Sequence, residues 1–168
     1  MLPTARELPP APSLFRRLAA LPYEGLLVLA LSLIAAFPLA GFRNLAVEGT
    51  PHSLMQLYYF CLTGLYFTWF WRKGGQTLAM KTWRFRVTTR QGVALGLGRA
   101  MLRYLLALAF FGPACAGMAL IFFPERIPPT QTVWLFVPAI ATILWAKFDG
   151  DRQFLHDRLA GTRLANAA

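Results

Sequence analysis

The chain has 168 residues, 57% of them hydrophobic and 14% charged, with a mean hydropathy of +0.47; this excludes an ordinary soluble domain and points to a membrane protein. Its 17 Lys and Arg against 7 Asp and Glu give a formal charge of +10. These basic residues hug the ends of apolar runs instead of forming a module of their own, which excludes nucleic acid as a partner.

Residues 1–13 hold Pro3, Pro9, Pro10 and Pro12 among polar residues. They read as a flexible, extended or disordered lead ahead of one domain over 14–166. Ser13 is placed to cap a helix beginning near Leu14. The apolar run Leu21 to Phe42 is long enough to cross a hydrocarbon core of about 30 Å. It is too long for a signal-peptide core, and its basic lead-in is too extended. Arg17 and Glu24 stand seven residues apart and share one face of this helix. Their backbone separation of roughly 10 Å is long for a direct bridge, so each is expected to meet a third group. Pro22, between them, takes the partner from the Leu18 carbonyl; the result is either a bend at the interface or a helix opened beside two charges. A buried carboxylate without a partner protonates, which is itself a way to carry a proton.

The second apolar run is Leu54 to Trp71. After it, "MKTWRFRVTTRQG" mixes β-branched and basic residues and reads as a short strand or extended interfacial strip with a Gly-ended turn at Arg90 to Gly92. The segment from Arg72 to Arg103 carries Arg72, Lys73, Lys81, Arg84, Arg86, Arg90, Arg99 and Arg103 and no acid. Such a one-sided field suits anionic lipid headgroups. Arg99 and Arg103 share a face as the third run, Leu102 to Phe123, begins. Gly112 and Ala116 make a small-xxx-small pair suited to close helix contact. The fourth run, Val133 to Phe148, is at the short end for a span. Pro38, Pro113 and Pro138 also fall inside runs, a feature that membrane bundles tolerate. Cys61 and Cys115 lie in apolar runs without disulfide or metal spacing and are expected to be inert packing residues.

The segments 43–53 and 124–132 hold one base and one acid each, so both termini and the basic central loop are expected to be cytosolic. The fold class expected is an all-α membrane bundle of about four transmembrane helices, with a short cytosolic extended strip and a C-terminal helix. In "DRQFLHDRLAGTRL", Gln153, His156 and Asp157 occupy i, i+3 and i+4 of that helix, with Gly161 as its terminator. Asp157 then sits near the negative end of a helix dipole and calls for a cation; Arg17, Arg99, Arg103 and Arg158 are all expected on its side. His156 next to Asp157 invites acid–base chemistry, but no nucleophile or metal-ligand spacing accompanies the pair, so neither an enzyme nor a cofactor is expected. Asp149 and Asp151 lack the other ligands of a calcium loop and read as solvated acids.

The stretches "RRLAALPYEG", "GGQTLAMKTWRFRV", "GRAMLRY" and "RQFLHDRLAGTRL" resemble, in order and spacing over 14–166, the RDD family of bacterial inner-membrane proteins, named for one arginine and two aspartates. The resemblance puts the arginine on Arg17, the first acidic position on Glu24 and the second aspartate on Asp157. Gln76, Arg99, Arg103, Gln153 and His156 lie in the matching stretches as supporting residues. It implies a part in transport, with cation/proton exchange as one suggested activity. Glu24 departs from the family aspartate by one methylene, which bears on tight ion coordination and leaves pairing or proton carriage intact. Two functions are thus expected to compete: an ion or small-solute transporter working through Arg17, Glu24 and Asp157, and a non-catalytic adaptor or assembly protein whose Arg/acid cluster is structural. A lipid-handling role is a third. The partners expected are anionic lipids, a second copy of the chain, and a small cation or proton.

Overall fold

A computed structural model of the protein describes residues 9–46, 52–121 and 129–167. The Arg16 amide donates to Ser13 Oγ at 3.4 Å, opening helix α1 (Leu14–Ala46), which runs through Pro22 unbroken. Helix α2 (His52–Lys73) ends on Arg72 and Lys73, cations placed at the negative end of its dipole. A short α3 (Leu78–Thr82), strand β1 (Phe85–Thr89) and the long α4 (Leu97–Ile121) follow. Then come α5 (Pro129–Thr132), a 3-10 turn (Val133–Phe136) and α6 (Val137–Phe148). Pro138 lies in the first turn of α6, where its missing N–H costs nothing. The chain closes on α7 (Leu155–Leu159) and β2 (Thr162–Asn166).

Three helices, over Leu14–Phe37, Leu97–Ile121 and Thr130–Phe148, are long and apolar enough to cross a membrane. The run Leu54 to Trp71, expected as a further span, is helical but falls outside that group. Tyr58, Tyr59, Thr63, Tyr66 and Thr68 string hydroxyls along it and dilute its hydropathy. The segments 43–53 and 124–132 fall partly outside the described residues. Within the spans most side chains face outward: Leu29, Leu33, Ile34 and Phe37 are each more than half exposed. This is a surface for lipid or for protein. Cys61 and Cys115 are exposed as well, so they do not pack the interior as expected.

The core sits at one end of the helices. There β1 and β2 pair antiparallel with Val87 opposite Leu164, and Phe85, Val87 and Leu164 pack with Trp71, Met80, Leu95, Tyr104 and Phe154. Each such burial contributes about 1.5–3 kcal/mol, and a slip of one residue would turn Phe85 and Val87 outward together. The expected strip is therefore a strand, and its partner is the C-terminal segment, where a helix alone was expected. The other edge of β1 is closed by backbone and amide: Val87 N–H donates to the Gly75 carbonyl at 2.7 Å, and Gln76 Nε2 to the Phe85 carbonyl at 2.9 Å. Gly75 has φ +68°, and a Cβ there would stand 2.5 Å from the Val87 carbonyl oxygen, so only glycine fits.

Helices meet through small residues, though not at the expected pair. A Cβ on Gly112 would touch only Leu108 of its own helix, whereas one on Gly117 would lie 3.0 Å from the Phe136 ring. A Cβ on Gly64 would lie 3.1 Å from the Tyr104 ring, whose hydroxyl contacts Thr63 Oγ1 at 2.8 Å and donates to the Phe60 carbonyl at 2.9 Å. Hydroxyl bonds of this kind tie helices where hydrophobic contrast cannot.

Candidate functional site

Asp157, in the first turn of α7, is fully buried, and its Oδ1 accepts from Arg103 Nε at 2.8 Å. Thr162 Oγ1, at the start of β2, adds a bond to the same oxygen at 3.3 Å. The Arg103 guanidinium lies 4.1 Å over the Trp71 ring, so one side chain of α4 joins the end of α2 to the C-terminal segment. Burial alone would raise the Asp157 carboxyl. The charge of Arg103 and the bonds from Arg103 and Thr162 outweigh it and hold the group below the usual carboxylate range. His156 is pushed the other way from its own ordinary value: burial lowers it to about 4 against the pull of Asp157, with Arg103 adding to the fall. It is neutral, its Nδ1 is 3.3 Å from Thr142 Oγ1, and its ring stacks on Phe154 and meets Phe111 edge-on. The 3.6 Å between His156 Nε2 and Asp157 Oδ2 is a dipolar contact, not an ion pair.

Arg17 and Arg16 act on backbone. Arg17 Nε donates to the Pro12 carbonyl at 2.9 Å, its Nη1 to the Arg152 carbonyl, and its guanidinium lies 5.3 Å over Phe154. Arg16 donates to the Trp83 and Arg84 carbonyls and to Asn166 Oδ1. Arg84 and Arg152 both have φ +53°, an uncommon region for a residue with a Cβ. The two neighbouring arginines of α1 thus clamp the carbonyls of two left-handed arginines. The proline-rich lead is tied in with them: Asn166 N–H donates to the Pro10 carbonyl at 3.0 Å, and Pro12 is fully buried.

Glu24 has a different environment. Tyr66 donates to its Oε1 at 2.8 Å and Thr77 to its Oε2 at 2.5 Å. Thr77 also starts α3, where its Oγ1 accepts from Met80 N–H. Among the four described acids, Asp149, Asp151 and Asp157 lie within 4.0 Å of an arginine, while Glu24 is held by hydroxyls alone.

The three residues singled out from the sequence therefore occupy two centres. Arg17 and Glu24 do not meet, and each has third-party partners. Arg17 lies within the electrostatic reach of Asp157 and Asp149, and Glu24 within that of Arg103, but the direct ion pair belongs to Arg103 and Asp157. Arg99 is exposed and takes no part. Gln153 precedes α7 and is not on it. Its amide pairs with the backbone of Leu164, accepting from the N–H at 2.7 Å and donating to the carbonyl at 3.3 Å. Because α7 has five residues and carries Asp157 in its first turn, the demand for a cation comes from burial and not from a helix dipole; Ala160 closes the helix ahead of Gly161. Asp149 is buried, bonded to the Gln153 N–H and 3.4 Å from Arg158 Nε, so it is not the solvated acid expected. Tyr66, Trp71, Thr142 and Thr162 were not singled out from the sequence. No group of three or more metal-ligating side chains occurs among the described residues.

Apolar helices stitched together at one end by buried arginines, acids and hydroxyls define a small integral membrane protein. The family model that matches it is that of the RDD family, over residues 11–161, and the chain belongs to that family. Comparison with curated proteins and with solved structures gives no match.

Proposed function

We propose that this RDD-family protein is a small-cation transporter of the plasma membrane in which Glu24 exchanges a proton for a cation. Arg17, Arg103, Asp157 and Gln153 form a fixed frame in the separate centre that ties the head together. The observation that carries this reading is the pairing pattern of the acids. A carboxylate inside an apolar helix, bound by two neutral hydroxyls and by no arginine, is free to trade its counter-ion, whereas Asp157 already has one. Helix α2 then crosses as a fourth span. The basic excess over 72–103 supports a cytosolic side for both termini, the β-ribbon and α7 in this reading. A single carboxylate without an arginine partner among the described residues, together with the outward apolar face of α1, favours an oligomer that brings copies of Glu24 together. The chain is not an enzyme in this reading.

The test is ion flux in liposomes. Purified protein is expected to dissipate an imposed pH gradient when sodium or potassium is added. Glu24→Gln is expected to stop that flux with folding retained, and Glu24→Asp to keep part of it. Flux no greater than in empty liposomes, or full flux from Glu24→Gln, refutes the reading. A second reading has its own support: the contacts that tie Arg17, Arg103, Asp157 and Gln153 to their neighbours suit a non-catalytic assembly protein whose charges only lock the cytosolic head. It predicts co-purifying partners that are lost with the head's stability and are indifferent to Glu24.

A further inference from the structure

We propose that the end of α2 and the loop entering α4 form a binding site for the phosphate of an anionic phospholipid. The inference rests on α2 lying in the membrane as a fourth span and is independent of cation exchange. Leu65, Trp69 and Lys73 follow one another at four-residue spacing on one face of α2. All three are exposed, and Lys73 Nζ lies 4.3 Å over the Trp69 ring. With Arg72 and the buried Leu95, Trp69 and Lys73 line an open groove of about 230 Å³. Along α2 the order is aliphatic, aromatic, cationic. A phospholipid bound there meets it in the same order, with acyl chain on Leu65, glycerol level on Trp69 and phosphate on the cations.

Charge decides the occupant. No acid lies between residues 72 and 103, and among the described residues neither Arg72 nor Lys73 forms an ion pair. The ring under Lys73 orients its ammonium without neutralising it. A net-negative headgroup completes the groove, while a zwitterionic one brings its own cation against Arg72 and Lys73. The loop entering α4 contributes Leu95 to the groove wall. The other exposed arginines of the segment line no part of this groove: Arg86 lies on the ribbon and Arg84 beside it, Arg90 is turned onto the Arg158 carbonyl at 2.9 Å, and Arg99 lines a separate hollow with Thr89, Gln91 and Val93.

The experiment is native mass spectrometry of the full chain in zwitterionic phosphatidylcholine micelles titrated with phosphatidylglycerol. The wild type is expected to retain phosphatidylglycerol in preference to phosphatidylcholine. Arg72→Gln with Lys73→Gln is expected to reduce that preference roughly 30-fold, the effect of removing two interfacial cations. Arg84→Gln, Arg86→Gln and Arg90→Gln together should leave it within about twofold, as distant sites do. Glu24→Gln should leave it unchanged, which separates a failure here from a failure of the transport reading. Equal retention of the two lipids by the wild type overturns the proposal, as does equal loss from the ribbon variants, which would mean a diffuse basic surface. If the double variant melts below the wild type, Trp69→Leu decides: lost preference with unchanged melting supports the site, and retained preference overturns it.

Discussion

Replacing Asp157 by Asn keeps the shape of the side chain and removes its charge, leaving Arg103 buried with no counter-ion. The side chains of Arg103 and Asp157 are 5% and 0% exposed, so water cannot repair the loss. Breaking a buried pair from one side costs about 3–5 kcal/mol. The Trp71 ring 4.1 Å away returns part of this, since a desolvated cation over an aromatic face contributes on the order of 2 kcal/mol. The net expectation is a loss of about 1–3 kcal/mol, a fall in Tm of roughly 3–10 °C, read by thermal unfolding of the purified protein in micelles. Replacing both partners, Arg103→Met with Asp157→Leu, removes the uncompensated charge and should bring stability back to within about 1–2 kcal/mol of wild type. Asp157→Asn melting within a degree or two of wild type, or a double variant no better than the single, would refute the view that this pair locks the head to the bundle.

Gly75→Ala forces a side chain to within 2.5 Å of the Val87 carbonyl oxygen at φ +68°; a loss of at least about 1–2 kcal/mol is expected in the same unfolding assay, and an unchanged Tm would mean that Gly75 does not seal the β1 edge. Gln153→Leu strips the Leu164 N–H and carbonyl of their partners and should cost about 1–3 kcal/mol; a neutral outcome would show that solvent reaches that backbone. His156 and Asp157 both sit below their free pKa values when folded, so each contributes stability at neutral pH that acid removes. For His156 the loss runs from its free value of 6.5 down to about 4, with the unfolding constant rising about tenfold per pH unit, and Asp157 extends the loss further into acid. His156→Phe should flatten the first part of that profile, and a wild-type Tm constant across this window would contradict the buried neutral imidazole.

The membrane class, the start of α1 at Ser13, the turn at Arg90 to Gly92 and the basic segment were legible because each depends on local composition or a local residue preference. The partner of β1 was not. Thr162–Asn166 is short and lies beyond a helix signal, and its pairing with Phe85–Thr89 is a contact between distant parts of the chain. The site was legible by residue type and only partly by partner. That Glu24 needs a third group follows from the seven-residue gap to Arg17, but nothing in an aromatic helix marks Tyr66 as that group. Thr77 was closer to view, since it stands in the Gly-Gln-Thr stretch. Four-residue spacing put Arg99 beside Arg103, yet only Arg103 turns inward, because α4 presents that one turn to Trp71 and α7. Burial, not sequence spacing, chose between them.

In the proposed exchange, Glu24 is the group that gives up a proton when a cation arrives. Infrared difference spectroscopy of the reconstituted protein, exchanging buffer without sodium or potassium for buffer with it at constant pH, tests it most directly. The cation is expected to remove a protonated-carboxyl band in the wild type, a change missing in Glu24→Gln and kept in Asp157→Asn. The same carboxyl signal persisting in Glu24→Gln would contradict it.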